Sequence, residues 1–492
     1  MSECCGSDSG NADQNDRLAT SGSYDLAVIG AGSAGFSAAI TAAEAGAQVA
    51  LIGEGMIGGT CVNIGCVPSK TMIRAAETIH QAKSAGRFNG ISADARVSSW
   101  ADIQSDRETL VNDLRQAKYI DVLPNYNSVS YMSGRARLIE GGVSVDGETI
   151  TAAKIIIATG SSPSVPTIEG IEDVPYLDST SALELDHLPK SLIVIGGGVI
   201  GCELGQMFAR LGTKVTLFCR SRLLPNMEPE VSEALEAAFK AEGIDVICGA
   251  DYKSINSENG ICLGYEADGA RHNITADHVL LATGRSPNSS DLGLEEMGVE
   301  ILPGGGIKVD DGMRTTRPGV FAVGDVTGND MFVYMAAYGA KIAAENAMVG
   351  HLDAQVNSNG RKYNNAAMPE VIFTDPQVAS VGMTEARAIS LGLDVKISVI
   401  GMEHVPRALA ARDTRGLIKL VADAGSSKLL GAHIIAAEGA DSIQTAAIAI
   451  KADMSVEDLG SMIFPYLTTV EGLKLAAQTF DKDVSKLSCC AG

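Results

Sequence analysis

From Tyr24 onward the chain alternates short apolar runs with glycine clusters and small-residue helical stretches. Asp25-Leu-Ala-Val-Ile29 is an unbroken apolar run after one polar residue, the pattern of a strand buried on both faces. Gly30-Ala-Gly32-Ser-Ala-Gly35 follows, then a helix to about Ala45, then a second strand over Gln48–Ile52. This order is the start of a βαβ unit. Its glycines permit a tight turn and let backbone amides approach a pyrophosphate at the helix N-terminus. The pattern recurs: Ser191-Leu-Ile-Val-Ile195 leads into Gly196-Gly-Gly198-Val-Ile-Gly201, a helix through Arg210 and a strand over Lys214–Phe218. Ala158-Thr159-Gly160 precedes this second unit and Ala282-Thr283-Gly284 closes it. Val320-Phe-Ala-Val-Gly324-Asp325 reads as a return to the first. Two such folds, one inserted in the other, imply two facing nucleotide cofactors. From about Asn364 strand-like runs (Glu370–Thr374, Leu417–Ala422, Leu429–Ile435) alternate with a helix near Asp441–Ala452, the pattern of a third, α+β domain ending in a mobile tail.

Composition narrows the class. At 492 residues the chain is long enough for several domains with real cores, and its 46% apolar content fits a soluble α/β protein. Acidic residues outnumber basic ones 60 to 38, a formal charge of −22 that repels nucleic acid and anionic membranes. No apolar run approaches a membrane span. Residues 1–23 are mostly small and polar, lack a signal-peptide pattern and are expected to be disordered, with Cys4-Cys5 as a weak metal-collecting pair. A cytoplasmic location is expected. There, ten cysteines point to catalysis or metal binding rather than to a structural disulfide framework.

The chemistry concentrates in Gly58-Gly59-Thr60-Cys61-Val62-Asn63-Ile64-Gly65-Cys66-Val67-Pro68-Ser69-Lys70. On an ideal helix, residues five apart lie about 8–9 Å apart between Cα atoms, whereas a disulfide needs less than about 7 Å. If Cys61 and Cys66 bond, the segment at Gly65 must leave regular helix, and such a distorted, locally closed bond is the labile kind. At the other end stand Cys489 and Cys490. Adjacent cysteines form only a strained small ring, so they stay reduced, and soft thiolates suit soft metals. Cys202, Cys219, Cys248 and Cys262 read as packing residues.

The Gly58–Lys70 segment resembles the redox-active segment of the flavin disulfide reductases, the group of dihydrolipoamide dehydrogenase and glutathione reductase, and the likeness runs from Tyr24 to the end. The terminal Leu487-Ser-Cys-Cys-Ala-Gly492 resembles the mercury(II)-reducing branch of that group. The resemblance implies an FAD domain in two parts (24–180 and 291–363), an NADPH domain inserted between them (181–290) and a dimerisation domain (364–492) in a homodimer. It implies FAD on Gly30, Gly32, Gly35, Thr60 and Asp325, with Gly160 and, one place past the second strand, Glu54 as further candidates. Lys70 paired with Glu203 would stand near the flavin N5. The second nucleotide would use Gly196, Gly198, Gly201 and Gly284. Cys219 stands where an acid would hold an NAD ribose, and Arg220 and Arg222 follow, so NADPH is expected. Disulfide reductases of this group place a histidine where Tyr466 stands, backed by a glutamate matching Glu471, to handle protons of a leaving thiolate. Reducing Hg²⁺ to Hg⁰ gives the product no proton, so the exchange of histidine for tyrosine favours a metal substrate. Tyr119 matches a second active-site tyrosine. The implied route runs from NADPH through FAD to Cys61 and Cys66, with Hg(II), supplied as thiol complexes, delivered by Cys489 and Cys490 of the partner subunit. The alternatives are a dihydrolipoamide dehydrogenase-like disulfide reductase and a thiol protein that sequesters metal without catalysis.

Overall fold

The computed structural model describes residues 23–258, 260–349 and 360–484. The Cys4-Cys5 pair and the Cys489-Cys490 tail lie outside the described residues. The chain divides into two compact units. The first is assembled from three segments, one ending at Gly59, then Arg115–Ser161 and Pro287–Tyr363. Its seven-stranded sheet centres on β1 (Tyr24–Ile29). β1 pairs in parallel with β2 (Val49–Gly53) on one side and with strand Glu148–Ile157 on the other. Strand Val320–Ala322 adds in parallel to Ile155–Ile157, so the chain does return to its first sheet after the insertion. Between β1 and β2 runs α1 (Ser33–Glu44). Its alanines are small for a reason: Ala38, Ala39 and Ala42 share an apolar core with Ala340, Ala343 and Ala344 of helix Val333–Ala347, and bulkier side chains would hold the two helices apart.

The second unit carries the cysteines of the described chain. It contains nearly all of α2 (Gly59–Asn63), then α3 (Cys66–Lys83) and a four-stranded parallel sheet. That sheet holds β3 (Ser191–Ile195), β4 (Lys214–Cys219) and β5 (Asp245–Cys248), with α4 (Val199–Leu211) and α5 (Pro229–Ala241) following the first two strands. The fourth strand, His278–Leu281, flanks β3. Met72, Ala76 and Ile79 of α3 pack in one apolar core with Leu204 and Phe208 of α4, which fixes the cysteine-bearing helix against the second nucleotide fold. An antiparallel meander over Asp251–Ala276, not legible in the apolar pattern, sits in the same unit. The C-terminal part is a five-stranded antiparallel sheet with helices Gly439–Lys451 and Glu471–Gln478 over a single core. Its first strand covers Pro369–Ile372 and stops short of Thr374. The amides of Phe373 and Asp375 leave the ladder there to bond the side chains of Glu203 and Gln206.

Candidate functional site

Cys61 lies inside α2 and Cys66 opens α3, with the helical path broken at Ile64 and Gly65 between them. Gly65 takes φ −120° and ψ −108° and comes so near Thr60 that an added Cβ would stand 2.9 Å from the Thr60 carbonyl oxygen. The break therefore has a steric signature in the sequence, and Ser69 Oγ locks it by donating to the Gly65 carbonyl at 2.6 Å. Both cysteines are half-buried free thiols. They are not equivalent. Cys66 accepts a hydrogen bond from the Cys61 thiol and feels the Lys70 charge, and together these pull its pKa down to about 7 against the effect of burial. Donating that bond, then burial, pushes Cys61 well above the usual thiol range. Cys66 is thus the more acidic of the two, the member of the pair that ionises first.

Lys70 is one turn further along α3. Its Nζ lies 2.7 Å from Glu203 Oε2 on α4, a carboxylate that is only 4% exposed. Glu203 Oε1 accepts from the Phe373 amide at 2.9 Å, and the Phe373 ring lies 5.2 Å from the Lys70 ammonium. Gln206 holds that segment in place, accepting from the Asp375 amide at 2.8 Å and donating to its carbonyl at 2.7 Å. Sequence reasoning missed Phe373 and Gln206. Gln206 lies three residues after Glu203 on the helix face that meets residues 373–375, but no local pattern announces the partner strand.

Both glycine turns have the shape a dinucleotide needs. Gly30 has φ +117°, and a Cβ there would meet the Ala158 carbonyl oxygen at 2.2 Å; Gly196 repeats this with φ +122° and the Ala282 carbonyl oxygen at 2.2 Å. Gly35 and Gly201 are equally closed, since a Cβ would strike the carbonyl oxygens of Gly30 and Gly196. α1 and α4 begin at Gly32 and Gly198 with no side-chain cap, leaving their first amides for an anionic ligand. The residues present thus fit a pyrophosphate at each turn. In the first unit Asp325 accepts from Ser161 Oγ at 2.7 Å. Gly160 and Gly284 both hold left-handed backbone, with φ +74° and +115°. At Gly53, the last residue of β2, an added Cβ would stand 2.7 Å from that of Ala31 and 3.0 Å from the Tyr131 hydroxyl, and the exposed Glu54 follows it.

One expectation about the second turn changes. Cys219 and Cys248 are not separate packing residues: they form a disulfide. The cause is register, because β4 and β5 run in parallel with Cys219 directly opposite Cys248 and their Cα atoms 4.7 Å apart. Arg220 is exposed. Arg222 donates from one guanidinium nitrogen to the carbonyls of Pro225 and Met227 at 2.9 and 2.7 Å, which ties it to its own loop.

The remaining candidates fall in both units. Tyr119 lies in the first unit, its hydroxyl 3.0 Å from Ser33 Oγ and its ring edge-on to Phe36. Tyr466 is exposed in the C-terminal part of the second unit, and Glu471 is buried at the start of helix Glu471–Gln478, accepting from the Leu467 amide. Among the described residues no cluster of three or more His, Cys, Asp and Glu side chains is arranged to hold a metal ion. No described helix is long and apolar enough to cross a membrane.

A pair of unequal thiols on two successive helices, the second packed against one of two dinucleotide folds, defines a dithiol oxidoreductase driven by nucleotide cofactors. Residues 24–343 match the pyridine nucleotide-disulphide oxidoreductase family, and residues 368–477 match that family's dimerisation domain. The chain belongs to this family and, within it, to the mercuric reductases. It is 45% identical to the mercuric reductase of Lysinibacillus sphaericus over 97% of this chain and 86% of that one. It is 43% identical to the mercuric reductase of Streptomyces lividans over 95% of this chain and 98% of that one. Among solved structures it resembles the Cu(II) complex of the HOCl-induced flavoprotein disulfide reductase RclA from Escherichia coli. There the TM-score is 0.80 at 29% identity, covering 93% of this chain and 99% of that one.

Proposed function

We propose that the chain reduces mercury(II) to elemental mercury with NADPH, using FAD and the Cys61/Cys66 dithiol, as a homodimer in the cytoplasm. The observation that carries this reading is the unequal thiol pair, with Cys66 the more acidic member, in a chain with mercuric reductases as full-length relatives. Residues 24–180 and 291–363 are assigned to FAD, 181–290 to NADPH and 364–492 to dimerisation. When bound, NADPH would supply a hydride, and FAD would pass that electron pair on to Hg(II) held by the two thiolates. The turn at Gly30, Gly32 and Gly35, with Thr60 and Asp325, binds the first nucleotide; the turn at Gly196, Gly198 and Gly201, with Arg220, binds the second. Cys66 takes Hg(II) as the thiolate, and Cys61 gives up its proton to become the second ligand. Soft sulfur suits this cation, and two ligands satisfy it without a larger cluster. Two electrons reach the bound Hg(II), both metal–sulfur bonds break, Hg⁰ leaves and two thiolates remain. Lys70 offsets negative charge beside Cys66, and Glu203 with Phe373 fixes Lys70 in that position. Hg(II) arrives as small-thiol complexes, and Cys489 and Cys490 of the partner subunit hand it inward. Tyr466 at the position of a general acid–base histidine suits a product that takes no proton.

NADPH oxidation followed with Hg(II) in excess small thiol, beside parallel assays with lipoamide and oxidised glutathione, tests the reading. Hg(II)-dependent oxidation with release of volatile mercury, and little turnover of either disulfide, is the expected result. Faster turnover of lipoamide than of Hg(II) would overturn it.

A further inference from the structure

A second sulfur pair lies outside the route just described. Cys219 ends β4, Cys248 ends β5, and the bond between them ties the C-terminal ends of neighbouring strands together. Cys219 is buried and Cys248 half-buried, so Cys248 is the more open residue of the two. The bridge also lies hard against the second glycine turn: a Cβ on Gly197 would stand 2.6 Å from the Cys219 Cβ and 3.2 Å from Leu223 Cδ2. The loop that starts at Arg220 is tied to the same turn, with the Leu224 amide donating to the Gly197 carbonyl at 2.7 Å. Breaking the bond turns a covalent sulfur–sulfur distance of about 2.05 Å into a van der Waals contact. In a close-packed place that added length moves either the Gly197 turn or the Arg220 loop.

We infer that Cys219–Cys248 is a reversible thiol–disulfide exchange site for small-molecule thiols, and that its state sets how tightly the adjoining turn holds its dinucleotide. The second half rests on the NADPH reading above. In the forward direction a small thiolate attacks the sulfur of Cys248, the more open residue, forming a mixed disulfide and releasing the Cys219 thiolate, which takes a proton. A second small thiolate attacks the small-molecule sulfur of that mixed disulfide. A small-molecule disulfide leaves, and the Cys248 thiolate takes a proton. Two small thiols are oxidised and one protein disulfide is reduced. Glu236 Oε2, 4.0 Å from Cys248 Sγ, is placed to accept from the resulting thiol.

The test uses the FAD-loaded full chain with Cys61→Ser and Cys66→Ser, so that the described part of the chain holds one exchangeable pair. The protein is poised at stepped ratios of oxidised to reduced glutathione. The 219–248 linkage is followed by peptide mass spectrometry and NADP⁺ affinity by calorimetry. The linkage should appear and vanish with the ratio, and the NADP⁺ Kd should differ about fivefold or more between the two ends, the usual size of a coupling between sites. Cys248→Ser and Cys248→Ala in the same background should hold one Kd at every ratio. A linkage that never changes, or one that changes while the Kd stays fixed, overturns the inference. Failure of the flavin-loaded protein to bind NADP⁺ in either state overturns it together with the NADPH assignment, whereas Hg(II) turnover in the unmodified protein tests the reductase reading separately.

Discussion

The charge on Cys66 is set by three side chains whose effects have opposite signs. The Cys61 hydrogen bond and the Lys70 charge lower its pKa, and the Glu203 carboxylate raises it. Lys70→Met should therefore move the thiolate midpoint upward from about 7, and Glu203→Gln should move it downward. Thiolate absorbance against pH measures both, and shifts in the same direction would refute the electrostatic account. In the unmodified protein the thiolate forms as pH rises through that midpoint, so Hg(II) capture should weaken as pH falls below it. Glu203→Gln also leaves a partly buried ammonium without its counter-ion. Breaking a fully buried pair costs about 3–5 kcal/mol, and the exposure of Lys70 places this case below that range. At this scale the sequence was legible where chemistry and spacing coincide. Cys61 and Cys66 stood out by their spacing, and the Lys70–Glu203 pair that the family resemblance implied is present. Phe373 could not, because its contribution is a backbone amide presented from another part of the chain.

Secondary-structure elements were read best where the constraint is local. A glycine whose Cβ would collide with a carbonyl is required by its own turn, and both βαβ starts showed this in a few residues. The Cys219–Cys248 bond was invisible because two residues 29 apart meet only once the register of two parallel strands is set. Gly30→Ala and Gly196→Ala should each cost about 1–3 kcal/mol from the left-handed backbone alone. They should differ in what they lose: Gly30→Ala should shed FAD, while Gly196→Ala should keep its flavin spectrum and lose NADPH affinity. Equal loss of both cofactors in both variants would count against the assignment of the two turns. The two arginines should separate as well. Arg220→Ala should raise KM for NADPH about ten- to a hundredfold with a smaller effect on NADH, the size of one lost charge-assisted contact. Arg222→Ala should affect both nucleotides alike, because its guanidinium bonds the loop.

For the whole molecule, the proposed delivery makes the dimer decide whether a catalytic site is complete. Mixed dimers test the proposed delivery: one subunit carries Cys61→Ala, the other Cys489→Ala and Cys490→Ala. If each tail serves the partner's dithiol, one site per heterodimer keeps both thiol pairs and activity persists. If each tail serves its own subunit, no site is complete and the heterodimer should be nearly inactive. The three-segment build of the first unit carries a consequence for how the protein is made. Strand Val320–Ala322 closes the edge of Ile155–Ile157, yet the ribosome delivers it more than a hundred and fifty residues later. Until then a nascent chain carries an unpaired parallel edge of apolar backbone, the template other strands add to. Chains cut after Ser286 should be less soluble than the complete protein and depend on chaperones, since the second nucleotide fold would be present while the first still waited for its last strand.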